Sequence, residues 1–96
     1  MKTIKKVDII PVFVEFIPDI KKENHIYISE KYSVAVHHCL CGCLQRTVMP
    51  ISDTDNNKWK LIKEKDGTVS FIGSVGNYNF PCKSHYVITK NVANFI

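Results

Sequence analysis

Residues 34–51 read VAVHHCLCGCLQRTVMPI. Two runs rich in β-branched residues, Val34–Cys39 and Arg46–Ile51, flank a tight turn at Cys41-Gly42-Cys43, which predicts a β-hairpin. Side chains alternate along an extended segment, so Ala35, His37, Cys39, Cys41 and Cys43 share one face. Gly42 lets the chain curl so that neighbouring sulfurs converge. Three thiols within five residues, with the imidazoles of His37 and His38 beside them, are the donor set of a metal site. Cys82 follows 39 positions after Cys43. Zinc takes four ligands tetrahedrally, with thiolates at about 2.3 Å. Cys39, Cys41, Cys43 and Cys82 are therefore expected to hold one structural Zn2+ that ties the two halves of the chain together. His37, His38 and His85 compete as ligands, and Cys82-Lys83-Ser84-His85 also reads as C-x2-H. The plainer alternative is a set of buried thiols.

Outward from this hairpin the chain continues to read as strands. Val7–Ile17 (VDIIPVFVEFI) is rich in β-branched and aromatic residues, and its Pro11 points to a sheet edge or a bulge. Pro18-Asp19 starts a turn, and His25–Ser29 (HIYIS) alternates like a half-buried strand. Trp59–Lys65, the turn signal Asp66-Gly67, and Thr68–Ile72 predict a second hairpin. Gly73–Asn79 breaks the pattern. Ser84–Thr89 and Val92–Ile96 follow as strands around a turn at Lys90-Asn91. Trp59, Phe71, Phe80 and Tyr86 are expected in the core. No segment carries a 3.6-residue apolar stripe, so at most one short helix is expected. The fold class is mainly β: a small antiparallel sandwich or open barrel of hairpins, stapled by one zinc site, with residues 1–96 as a single domain.

Composition narrows the function. The chain has 96 residues and a net charge of +4. A domain this small has a thin stability margin, and a bound metal is one way to widen it. The lysines are scattered, whereas a nucleic-acid binder concentrates them on one element with aromatics between, so no nucleic-acid partner is expected. No apolar run approaches the roughly 20 residues that span a bilayer, so no membrane partner is expected either. The start, MKTIKKVDIIPVFVEFIP, has lysines before an apolar stretch, but Asp8, Pro11 and Glu15 interrupt it and no small-residue cleavage site follows. The expected location is the cytoplasm, where four cysteines read as metal ligands rather than disulfides.

Ser74 lies between two glycines, directly after a strand, in Ser70-Phe71-Ile72-Gly73-Ser74-Val75-Gly76-Asn77. Such a turn can expose a hydroxyl and aim amide N–H groups at a developing oxyanion. A serine needs a base within hydrogen-bond reach to act as a nucleophile. His85 is the first candidate, because an antiparallel return of the next strand sets it across from Ser74. His37 is the second. Asn77 could orient the base or donate to the oxyanion. Gly-Ser-Val-Gly is equally ordinary turn chemistry, and a Ser and a His make a dyad only by geometry.

Taken together, H-x-C-x-C-G-C (His37, Cys39, Cys41, Gly42, Cys43), the stretch holding Ser74, Gly76 and Asn77, and P-C-x-S-H-Y (Pro81, Cys82, Ser84, His85, Tyr86) resemble a family of small bacterial proteins encoded in ubiquitination-like operons. Two departures stand out: Leu44 replaces the family's glycine after the third cysteine, and Ile72-Gly73-Ser74 stands where S-P-S is common. The resemblance implies a zinc-stabilised serine peptidase or esterase, a hydrolase that trims a ubiquitin-like protein or removes it from targets by deconjugation. Its implied partners are that ubiquitin-like protein, or its conjugates, and the conjugation enzymes of the same operon. Two other expectations stand beside this one: a zinc metallohydrolase with His37, His85 and cysteines on an open zinc, and a non-enzymatic zinc module that binds an acidic protein partner.

Overall fold

The computed structural model describes residues 6–19, 22–40, 46–55, 57–76 and 85–96. Among them ten strands form and no helix does: β1 Lys6–Asp8, β2 Ile10–Phe13, β3 His25–Ser29, β4 Val34–His38, β5 Arg46–Pro50, β6 Lys60–Lys63, β7 Val69–Ile72, β8 Val75–Gly76, β9 His85–Thr89 and β10 Val92–Phe95. They build three sheets, β1-β10-β9-β8, β2-β3-β4-β5 and the hairpin β6-β7. The mainly β expectation holds. None of the sheets closes into a barrel.

The two four-stranded sheets share one core. Ile26, Ile28, Ala35 and Met49 enter it from one sheet, and Val75, Tyr86, Ile88 and Ala93 from the other. Val69 and Phe71 of the third sheet complete it. Burying each large apolar side chain is worth about 1.5–3 kcal/mol. Among the described residues two ion pairs form, Lys31–Glu15 and Lys63–Glu30, and both lie on the surface with side chains more than half exposed. Pairs of that kind contribute at most about 1 kcal/mol each. The shared core therefore outweighs these ion pairs.

Two expectations needed correction. The run Val7–Ile17 is two strands rather than one, because the chain passes from one sheet to the other at Ile9, which is buried (3% exposed). The Ile9 amide donates to the Asn91 carbonyl, and the next amide, Ile10, donates to Asn24. The sheets are also not wholly antiparallel: β2 runs parallel to β3, with Ile10 paired to His25 and Pro11 to Ile26. A parallel return needs a connection of about a dozen residues, and the segment between Phe13 and His25 is of that length. Pro11 sits, as expected, on an edge strand.

The β9–β10 turn clamps the third sheet to the first. Lys90 and Asn91 both have positive φ (47° and 64°), the two-residue geometry that matches the twist of a hairpin and that asparagine tolerates well. The Asn91 amide donates to the Val69 carbonyl, and its side-chain Oδ1 accepts from the Val69 amide at 2.8 Å. On the other side Ile51 bridges Trp59 in parallel, which joins β5 to the start of β6.

Candidate active site

Ser74 follows β7 and precedes β8. Gly73 makes the bend with φ +114°, a conformation side chains rarely adopt, and a Cβ there would meet Trp59 Cδ1 at 3.2 Å. The Trp59 indole N–H donates to the Ser74 carbonyl at 3.2 Å. The turn is thus held from outside by one aromatic ring, and Ser74 itself is exposed. A small cleft of about 180 Å³ opens there between Asn57, Lys58, Trp59, Gly73 and Ser74.

The antiparallel return expected after Ser74 is present, but in another register: His85 lies across from Gly76, not across from Ser74. β8 pairs with β9, with Val75 opposite Tyr86 and Gly76 opposite His85. Val75 and Tyr86 are buried (2% and 0% exposed) and face the core. The pleat therefore turns Ser74, Gly76 and His85 to the outer face. If the register is continued by one residue, Ser74 falls opposite Val87 and diagonal to His85. Diagonal neighbours on one face lie roughly 7–8 Å apart, a gap that a long side chain spans. His85 is half-buried, and its carbonyl accepts from the Ile96 amide.

His37 lies on the inner face. It is fully buried in β4, and its Nε2 is 2.7 Å from the hydroxyl of Tyr86. This contact joins the two large sheets, since His37 belongs to one and Tyr86 to the other. Burial, helped by the neighbouring His38, lowers the His37 pKa from 6.5 to about 4, so the ring is neutral near pH 7. Its Nδ1 has no hydrogen-bond partner among the described residues, nor has the hydroxyl of Thr47, which pairs with His37 across the β4–β5 ladder. His37 and Ser74 consequently lie on opposite faces of the β8–β9 ladder.

Cys39 is buried just past the end of β4. Cys41, Gly42, Cys43, Asn77, Phe80, Pro81, Cys82 and Ser84 lie outside the described residues. Among the described residues no three His, Cys, Asp or Glu side chains gather into a metal-holding group. What the structure does fix is the roots of the two segments that carry the remaining thiols. Residues 41–45 link β4 to β5, residues 77–84 link β8 to β9, and the His37–Tyr86 bond sits at the junction of those hairpins.

Sequence reasoning placed Trp59 simply in the core. It is half-buried and packs against the core while bonding to Ser74. Its place at the head of a strand after a polar loop was the available signal. The link from His37 to Tyr86 was also missed. Of the expected core aromatics, Phe71 and Tyr86 are buried.

The family described as "BubE: Bacterial ubiquitination-like system serine protease" matches residues 13–96. No curated protein and no solved structure matches the chain. No helix among the described residues is long and apolar enough to cross a membrane.

Proposed function

Because the chain belongs to the BubE family of bacterial ubiquitination-like system serine proteases, we propose that it cleaves the acyl bond at the C-terminus of a ubiquitin-like protein, with Ser74 as nucleophile and His85 as its base. The observation that favours this reading is the β8–β9 register, Val75 to Tyr86 and Gly76 to His85, because the same alternation carried one residue back to Ser74 puts it on the outer side with His85. The Ser74 Oγ attacks the carbonyl that ends the ubiquitin-like tail. His85 takes the hydroxyl proton and returns it to the departing amine or alcohol, and water then repeats the sequence on the acyl-enzyme. Amide N–H groups of the turn between Gly73 and Asn77 stabilise the oxyanion. Ester-linked conjugates are the easier substrates, because an alkoxide leaves more readily than an amide. The conjugation enzymes of the same operon supply those substrates and are its functional partners.

In this reading His37 holds Tyr86 in place rather than acting as the base. Its neutral ring and buried contact suit that role, since the next residue after His85 is the one it grips. The thiolates of Cys39, Cys41, Cys43 and Cys82 hold a Zn2+ ion. Three observations favour this ligand set: the donor chemistry, the burial of Cys39, and the meeting of the two hairpin roots at His37 and Tyr86. Cys82 stands three residues before His85, within about 11 Å of it along even a fully extended chain. Zinc there supplies cross-linking of the two turns, which orders the base.

The test is Ser74→Ala assayed on a ubiquitin-like protein carrying a C-terminal ester or peptide extension. Turnover should fall at least about 10³-fold, with zinc content and melting temperature retained. Retention of most of the activity would transfer the chemistry to a metal-bound nucleophile and refute the serine mechanism.

A further inference from the structure

Three clefts meet end to end on the surface that leads to Ser74. The first, about 320 Å³, lies between the outer edge of β6 (Leu61, Lys63) and the turn at Glu30. It shares Ser52 and Asp53 with a second cleft of about 180 Å³. That one shares Lys58 and Gly73 with the cleft beside Ser74.

The backbone along the first cleft is an open strand edge. At the β6–β7 hairpin the Glu64 amide donates to Thr68. Bonded pairs alternate along an antiparallel ladder, so Ile62–Ser70 and Lys60–Ile72 are bonded, and the N–H and C=O of Leu61 and Lys63 turn outward. Trp59, the preceding residue of the same parity, follows the rule. Its amide donates to Pro50, and its carbonyl accepts from the Ser52 amide. Beyond Ser52 the neighbouring strand leaves, and among the described residues no backbone group pairs with the outward groups of Leu61 and Lys63.

We propose that this edge receives the C-terminal tail of the ubiquitin-like substrate as an added β-strand, which runs from Leu61 and Lys63 over Ser52 and Asp53 to the Ser74 turn. The inference rests on Ser74 being the reacting residue. Only an extended polypeptide matches a row of outward N–H and C=O groups, and continuity of the clefts with the Ser74 turn makes the acyl donor the natural occupant. The lining carries both signs, Lys58, Lys60 and Lys63 beside Glu30, Asp53 and Asp55. Asp53 forms no ion pair among the described residues, and it suits a basic side chain on the tail. A second copy of this chain is a poor occupant, because edge-to-edge pairing would bring Lys60 and Lys63 of one copy against those of the other.

The experiment is amide hydrogen exchange by NMR on Ser74→Ala, titrated with the ubiquitin-like protein of the same system, with its tail either intact or removed. The expected result is at least a tenfold slowing of exchange at Leu61 and Lys63 with the intact protein and none with the tail-less one. Asp53→Lys should raise the Kd at least fivefold. Protection that does not need the tail, protection that grows with the concentration of this chain alone, or protection confined to another edge such as β2 would each overturn the inference. Turnover by the wild type without protection of Leu61 and Lys63 overturns the tail track and leaves the serine mechanism standing. Tail-dependent protection with no turnover does the reverse.

Discussion

His85 and Tyr86 are consecutive residues of one strand, yet they belong to different worlds. Tyr86 is wholly buried, bonds His37 across the sandwich and packs at a tilt against Phe95, with ring centroids 4.9 Å apart. His85 faces outward beside Gly76, on the side that carries Ser74. The pleat of a β-strand makes this separation at no cost in length. In the proposed reading the neutral, buried ring of His37 holds Tyr86 from one face, and His85 serves Ser74 as base on the other.

The comparison is tested hardest by removing metal. If the inner junction and the cysteine-bearing turns form one zinc-stapled unit, a strong chelator should unfold the protein, because structural zinc contributes on the order of 10 kcal/mol or more in small peptides. Loss of β-sheet circular dichroism on chelation is the readout. A fully folded, metal-depleted protein would show that the inner face holds by packing alone.

A smaller effect separates the two faces by pH. The folded-state pKa of His37 is about 4, below the 6.5 of the exposed ring. As pH falls through 6.5 the unfolded chain takes up a proton that the folded chain refuses. Stability from this residue is therefore complete above about pH 6.5, declines as pH falls, and levels off below about pH 4, a loss of roughly 3 kcal/mol in all. The His37 ring signals should not titrate between pH 7.5 and 5. A midpoint near 6.5 would mean that the ring is solvated.

The smallest expected change in stability is on the outer face. Gly73→Ala forces a side chain into positive φ and against Trp59, at a cost of about 1–2 kcal/mol, and it shifts the Ser74 carbonyl that the indole holds. Thermal melts should move by only several degrees while kcat/KM falls at least about tenfold. A large loss of stability with unchanged turnover would assign the bend to folding rather than to chemistry.

Much of this was legible in the residues, and what was not has a physical cause. HIYIS gave β3 at its observed bounds, but the expected half-buried alternation is absent, since the strand is buried at every position from Ile26 to Ser29. Asp66-Gly67 gave the β6–β7 hairpin, and Pro11 gave an edge strand. The parallel pairing of β2 with β3 was not legible. It depends on how a connection of mixed polarity folds back, which no local pattern records. β8 was hidden because a two-residue strand ending in glycine has no periodicity to read. Alternation put His37 on the face of Cys39 and Ala35, which is its observed side. Its bond to Tyr86, 49 residues away, is a tertiary fact. The same limit applies to Trp59, where composition says core and geometry adds the hydrogen bond to Ser74.

The central claim is that the reacting group is the Ser74 hydroxyl, activated from its own face of β9. The most direct measurement is labelling with a serine-directed fluorophosphonate, mapped by peptide mass spectrometry in the wild type, His85→Ala and His37→Gln. The account predicts a single adduct on Ser74 that is lost in His85→Ala and is still formed by whatever fraction of His37→Gln remains folded. An adduct on Ser70 or another serine, or undiminished labelling of Ser74 in His85→Ala, would contradict it.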